Sequence, residues 1–435
     1  MLALFAMAGF PAKANASSPD PSRSDLSSLP EIEAYLGSIG VDIGTVVVQQ
    51  GRLNYAGPNC PGADWNCTTA SMVVQLGPPM VPATNVVDCT PAVSVTLLGL
   101  NECLIVQSSV LAAIESTNSA SCTMSASDGA KQKCKVKQSS RRGNNYAEVR
   151  ATTKQWGGSP QTATQEADIE QTSDTGHNSA KITQSIEQTL GEDPPVPVTQ
   201  EQQARQAATV NQTATSSGSN SSWVAQYLSQ EENACGGDAI TQKQNAATPP
   251  NQPNQEANVT QKTGTGNNTS NLSQKLNQHQ SAASEPGPIT QTQGTYANSG
   301  QKGRVLQTVT TPLTGVNRST PNQDEDQKQD YWTTGVVTQT QIGPQDCCST
   351  QVGGTADNVN QVVERNTQQN ATGLASQSGV QVGHCTESGT PGANCSLDQT
   401  YIQNGNIGHF ALTAPAVSHT QFCSGVNTGN PCVTD

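Results

Sequence analysis

The side chains that could do chemistry in this chain are few and poorly arranged for it. Its five histidines, His177, His279, His384, His409 and His419, are scattered rather than clustered. His384-Cys385 with Cys395 has the residue types of a metal site, but in an exported chain the two cysteines read better as a disulfide. The run Asp324-Glu325-Asp326 could offer carboxylate oxygens to Ca²⁺, yet it lacks EF-hand or RTX spacing and reads as a solvated loop. Arg141-Arg142 reads as solvent-facing, and Trp156, Trp223 and Trp332 stand singly rather than as a sugar-binding row. Asn-x-Ser/Thr triplets such as Asn211-Gln212-Thr213 are expected by chance in an Asn-, Ser- and Thr-rich chain. A polysaccharide-cleaving site would need paired carboxylates or a carboxylate with Lys or Arg on one face. No catalytic, cofactor-binding or metal-ligating residue is therefore expected, and the chain reads as a non-enzyme.

Composition narrows the classes further. The 435 residues carry a net charge of −13, which argues against a basic nucleic-acid binder. Only 13% of residues are charged and 3% aromatic, while Gln alone contributes 46. That bias suits either disorder or a thin amide-lined β structure, whose core needs little aromatic volume. Gly and Pro, 38 and 25 residues, fall well below the level of Pro/Gly low-complexity chains.

Residues 1–16 read as a signal peptide: the apolar run Leu2 to Phe10 precedes an Ala14-Asn15-Ala16 cleavage pattern, and the missing positive n-region points to a start further upstream. No other apolar run approaches the ~18–20 residues a membrane helix needs. The 13 Cys then read as disulfides of a secreted chain. Sequence-local candidates are Cys60/Cys67, Cys122/Cys134, Cys385/Cys395 and Cys423/Cys432, with Cys89/Cys103 a fifth. Cys235 and Cys347-Cys348 are left to pair with each other, with another chain, or to stay free.

The elements that dominate the chain are repeats. A seven-residue pattern (amide, x, small, x, aliphatic, x, Gln) has nine strict copies, where chance gives on the order of one. The copies run from Asn101-Cys103-Ile105-Gln107 to Gln301-Gly303-Val305-Gln307. Between them lie Gln132 to Gln138, Gln165 to Gln171, Asn178 to Gln184, Gln206 to Gln212, Asn220 to Gln226, Gln255 to Gln261 and Asn268 to Gln274. Looser copies start at Thr69, Asn145, Thr333 and Thr355. The internal period of two puts the marked residues on one face of a strand. The motifs pair through short connectors with Gly143, Gly176, Gly218 or Gly266 two positions before Asn145, Asn178, Asn220 or Asn268. A Gly at a fixed place suggests a positive φ. Each unit thus reads as strand, tight arc, strand, with longer irregular loops between units. A buried amide must be paired, and identical amides at the ~4.8 Å rung spacing can pair up and down a stack. The expectation is an all-β fold of stacked units, because one unit cannot bury its face alone.

Gln171, Gly176, Asn178-Ala180 and Gln184, and again Gln138, Gly143 and Asn145-Ala147, resemble the curlin repeat of bacterial curli fibres. The resemblance covers residues 100–310 well and 330–380 weakly. It implies a β-solenoid that assembles outside the cell into amyloid-like fibres of a biofilm matrix. The arcs here are about two residues longer than in that family, the inter-unit loops are far longer and cysteines more numerous. The expected organisation is a signal peptide (1–16), a Cys-containing N-terminal region or cap (17–100), the curlin-like β-solenoid (101–380) and a Cys-containing C-terminal tail or cap (381–435). A helix is expected over 25–37 and a strand from Ile43 to Gln49. The expected partner is the chain itself, by end-to-end β-augmentation, or other matrix or surface components, without nucleic acid or membrane span. An adhesin using long loops such as 227–239 and 308–332 is the alternative.

Overall fold

The computed structural model describes residues 43–50, 53–56, 70–76, 84–89, 100–109, 116–126, 131–191, 198–236, 239–244, 253–284, 287–294, 300–311, 314–353, 358–370, 374–378, 381–388, 394–405 and 419–425. The expected leader and the helix over 25–37 lie outside these residues. So do both members of the first expected disulfide, Cys60 and Cys67.

The described strands begin with β1 (Ile43–Gln50), β2 (Leu53–Ala56), β3 (Ala70–Leu76), β4 (Thr84–Cys89), β5 (Leu100–Ser109), β6 (Thr117–Ala126), β7 (Lys131–Ser140) and β8 (Asn144–Trp156). Next come β9 (Gln161–Ser173), β10 (Asn178–Leu190), β11 (Val198–Ala214), β12 (Asn220–Gly236), β13 (Ile240–Gln244), β14 (Gln255–Thr263), β15 (Asn268–Ser284), β16 (Ile289–Gln293) and β17 (Gln301–Val309). The last are β18 (Asn317–Thr333), β19 (Val337–Ile342), β20 (Gln345–Val352), β21 (Val359–Asn370), β22 (Leu374–Ser378), β23 (Gln381–Ser388), β24 (Asn394–Gly405) and β25 (His419–Gly425).

All pairings are parallel and build two facing sheets, and the described residues contain no helix. Sheet A stacks β1-β3-β5-β7-β9-β11-β14-β17-β20-β23-β25; sheet B stacks β2-β4-β6-β8-β10-β12-β15-β18-β21-β24. Each strand pairs with its counterpart one unit on, not with its chain neighbour, so the chain coils and the rungs pile up as in a solenoid. Strands of the expected flanks, β1 to β4 and β23 to β25, join the same two sheets.

The coil widens along its length. β9 and β10 have 13 residues, whereas β11, β12, β15 and β18 have 17. The extra length of β11 carries a second column, β13-β16-β19-β22. Val198, Ile240, Ile289 and Val337 cluster there with Ala234 and Ala282 of sheet B. The central stack holds Ile105, Val136, Ile169, Val210, Val259 and Val305 against Val149, Ile182, Val224 and Leu272. Strict alternation drives this: in β10 every second residue is buried, from Asn178 to Leu190. Outward residues carry charges that alternate in sign between rungs. Lys135 meets Asp168 at 3.3 Å and Lys137 meets Glu170 at 3.3 Å, while Arg205 lies between Glu166 and Glu256 at 3.8 and 3.7 Å. Each such pair contributes little to stability, but mismatched signs would penalise a slipped register.

Several expectations fail here for physical reasons. The segments 227–239 and 308–332 are largely strand: β12 runs to Gly236, and β18 begins at Asn317. Polar outward residues, Ser229, Glu231 and Asn233, hide an inward series, Leu228, Gln230, Glu232 and Ala234. Asp324-Glu325-Asp326 is not a loop, because it lies within β18 with Glu325 fully buried between two outward aspartates. In the copy starting at Thr355 the frame is off by one. Val359 is exposed, and the inward residues are Asn358, Asn360, Val362, Glu364, Asn366 and Gln368. A one-residue slip exchanges the two faces. The copy starting at Thr333 belongs to the second column, where Val337 and Gln339 align with Ile289 and Gln291.

Candidate functional site

The interior itself is the feature most elaborately built from the repeated residues. At least 34 of the 46 Gln are buried among the described residues, so the amide bias lines the inside of the coil. One ladder runs Gln107, Gln138, Gln171, Gln212, Gln261, Gln307 and Gln351, each Nε2 donating to the Oε1 one rung earlier over 2.6–3.0 Å. A second joins Gln132, Gln165, Gln206, Gln255, Gln301 and Gln345 at 2.8–3.1 Å. Sheet B adds Gln184, Gln226, Gln274 and Gln323 at 2.6–2.8 Å.

The asparagines after the arcs form a ladder of opposite polarity. Asn118 donates to Asn145, Asn145 to Asn178, Asn178 to Asn220, Asn220 to Asn268 and Asn268 to Asn317, at 2.8–2.9 Å. The amide groups also bridge the two sheets. Gln171 Nε2 donates to the Ser179 carbonyl at 2.8 Å, and Asn178 Nδ2 to the Thr213 carbonyl at 3.0 Å. A mid-ladder Gln thus makes three hydrogen bonds, worth roughly 3 kcal/mol net against a side-chain ordering cost of up to about 2 kcal/mol. The gain from making the ladder is small. The cost of breaking it is larger, because the orphaned partners stay buried.

All seventeen residues singled out for these ladders are at most 2% exposed. Further members escaped the seven-residue window. Gln155, Gln188, Gln230, Gln278, Gln327 and Gln368 form a ladder at 2.6–2.9 Å. From Gln188 to Gln327 these stand four residues after Gln184, Gln226, Gln274 and Gln323, a spacing visible in the sequence. In the second column Gln200, Gln242, Gln291 and Gln339 form another at 2.7–2.9 Å.

The arc glycines serve a different purpose from the one expected. Gly143, Gly176, Gly218 and Gly266 do not have positive φ; each lies against the arc one rung earlier. A Cβ on Gly176 would collide with the Gly143 carbonyl oxygen, and one on Gly266 with the Gly218 oxygen. Further along, Gly315 and Gly353 combine the close approach with φ of +70° and +71°. Ser173 Oγ donates to the Gly176 carbonyl at 2.9 Å and holds the arc shut.

Of the expected cysteine pairs, Cys122 of β6 and Cys134 of β7 form a disulfide across the sheets. The expected pairing of Cys60 with Cys67 is not confirmed. Neither Cys60 nor Cys67 falls on a described strand, and both lie outside the described residues. One rung before the Cys122–Cys134 bridge, the register places Cys89 beside Cys122 and Cys103 beside Cys134. At the far end Cys385 aligns with Ser349 and Cys395 with Asn360, which themselves meet across the interior at 3.3 Å. Cys423 aligns with Cys385; Cys432 lies outside the described residues. Cys235 is an exposed thiol, Cys347 a buried one, and burial pushes the Cys348 thiol up to about 12.

The outer faces present no comparable constellation. Among the described residues no group of three His, Cys, Asp or Glu could hold a metal ion. No described helix is long and apolar enough to cross a membrane. Trp156, Trp223 and Trp332 are exposed and separate, with Lys181 Nζ 5.6 Å from the Trp223 ring centre. Arg141, Arg142 and His177 are exposed. No family model, curated protein or solved structure matches this chain. The curlin resemblance rests on the motif residues alone.

Proposed function

We propose that this chain is a secreted structural protein, a curli-like β-solenoid subunit that self-assembles into, or decorates, an extracellular fibre or biofilm matrix. The observation that carries this reading is the stack of parallel rungs with interior amide ladders running through most of it. A second copy can extend such a parallel stack by β-augmentation at an end strand. Negative-stain imaging and fibre diffraction of the purified protein test the proposal. Filaments with a repeat of about 4.7–4.8 Å support it, and a monodisperse monomer at high concentration refutes it.

One observation favours the alternative of a monomeric surface adhesin. The Gln column that reaches Gln351 continues in register to Glu387 and then Gly425, so this column loses its amide toward the C-terminal rungs, while those of Gln345 and Gln368 continue to Gln381 and Gln403. A copy stacking there would meet no matching amide in that column. A monomer whose ligand binding is lost on replacing one inter-unit loop, with folding intact, would establish that reading.

A further inference from the structure

Three glutamates stand inside the coil. Glu232 in β12, Glu325 in β18 and Glu364 in β21 are each 0% exposed, and no Lys, Arg or His is among the buried residues described. Their neighbours along the stack are Leu190 and Gln280 for Glu232, Leu276 and Asn366 for Glu325, and Gln323 and Gln399 for Glu364. Glu232 Oε2 accepts from Gln280 Nε2 at 2.8 Å, and Glu325 Oε2 from Asn366 Nδ2 at 3.3 Å. The other oxygen of each has no hydrogen-bond partner.

The sheet B ladder supplies the telling detail. In Gln184, Gln226, Gln274 and Gln323 each oxygen accepts from the next rung, until Gln323 Oε1, which has no donor. The residue at that next rung is Glu364. A carboxylate has no hydrogen to give; a carboxylic acid has one, and it matches a carboxamide in shape. We propose that these glutamates are held as neutral acids standing in for Gln, so that the coil from β12 to β21 is an acid-stabilised fold that loosens as the pH rises.

The surroundings agree. Burial pushes the Glu232 carboxyl up to about 8, with the Glu201 charge acting the same way and the Gln280 amide and the Lys243 main-chain N–H opposing it. Burial alone holds Glu325 well above the ordinary carboxylate range. The Cys347 and Cys348 thiols near Glu364 in sheet A are pushed up chiefly by burial, so neither brings a charge beside it. A folded-state value above the unfolded one means that folding takes up protons. The stabilisation is therefore complete below the ordinary Glu value of 4.5 and, for Glu232, is lost as the pH climbs to about 8. Each such group costs about tenfold in the folding equilibrium constant per pH unit across its window. A lone coil would behave the same way, so the effect does not depend on fibre assembly.

The test is the urea or thermal midpoint of the full chain from about pH 5 to about pH 9. The inner triple variant Glu232→Gln, Glu325→Gln, Glu364→Gln is compared with an outer control, Glu170→Gln, Glu231→Gln, Asp324→Asn, that removes the same number of acidic groups. The wild-type and control midpoints should fall with pH while the inner variant stays level. A wild-type midpoint that is flat or rises, or an inner variant that falls as steeply as wild type, overturns the proposal. Should the inner variant not fold, infrared spectra of the wild type decide: a protonated-carboxyl C=O band at about pH 6 is expected, and its absence refutes the idea.

Discussion

Replacing Gln212 by Leu probes the interior at its middle rungs. Gln212 donates to Gln171 Oε1 at 2.7 Å and to the Ser221 carbonyl at 2.8 Å, and accepts from Gln261 Nε2 at 2.8 Å. Leu matches the bulk but leaves Gln171 Oε1 unpaired and buried, and leaves the ladder hydrogen of Gln261 only the longer contact to Ser222 Oγ at 3.2 Å. At about 1–3 kcal/mol per orphaned group the loss is roughly 2–6 kcal/mol. Apolar burial of Leu returns about 1–2 kcal/mol, which leaves a net loss of roughly 0–5 kcal/mol, about 2.5 kcal/mol at the middle of both ranges. Coupling between neighbouring rungs confines the lesion to the two interfaces of that rung. Urea unfolding followed by circular dichroism would measure it, with the outward neighbour Thr209→Val as control, expected within about 0.5 kcal/mol of wild type. A Gln212→Leu protein as stable as wild type would refute amide pairing as the source of interior order.

Other outcomes follow from the same geometry. Gly176→Ala should cost roughly 3 kcal/mol or more, because its Cβ meets the Gly143 carbonyl, whereas Gly158→Ala points into open space and should change the midpoint little. Reducing the Cys122–Cys134 disulfide, which joins residues 12 apart, should lower stability by about 2–3 kcal/mol, read from melts with and without reductant. Pro321 occupies the aliphatic column below Leu272 and interrupts the β18–β21 pairing between Ser319 and Asn322. Pro321→Val should restore an N–H donor and stabilise by about 1 kcal/mol in urea titrations.

The sequence disclosed the ladder residues because a buried amide at every rung requires the same residue type at the same phase. Gln171, Gln212 and Gln261 can be aligned without coordinates. Where the stack tolerates a substitution, the pattern breaks. Asn317 to Gln323 escapes it because Pro321 stands at the aliphatic position, and Gln345 to Gln351 because Ser349 does. Glu325 reads as surface because a neutral, buried acid has the same letter as a charged, exposed one. The second column is hidden because five-residue strands such as Ile289–Gln293 have too short an alternation to stand out. The arc glycines are legible, but their reason is not: steric contact between rungs, rather than backbone conformation, fixes Gly143, Gly176, Gly218 and Gly266. The Cys122–Cys134 pair is legible because its two cysteines fall on facing strands, β6 and β7, that follow each other in the chain.

Hydrogen exchange of the side-chain amides, resolved by NMR on the folded protein, tests the interior ladders most directly. The NH₂ groups of Gln171, Gln212, Gln261 and Asn178 should exchange orders of magnitude more slowly than that of the outward-facing Gln203, and should retain their protection together until global unfolding. Equal, rapid exchange at all of these positions would contradict the account.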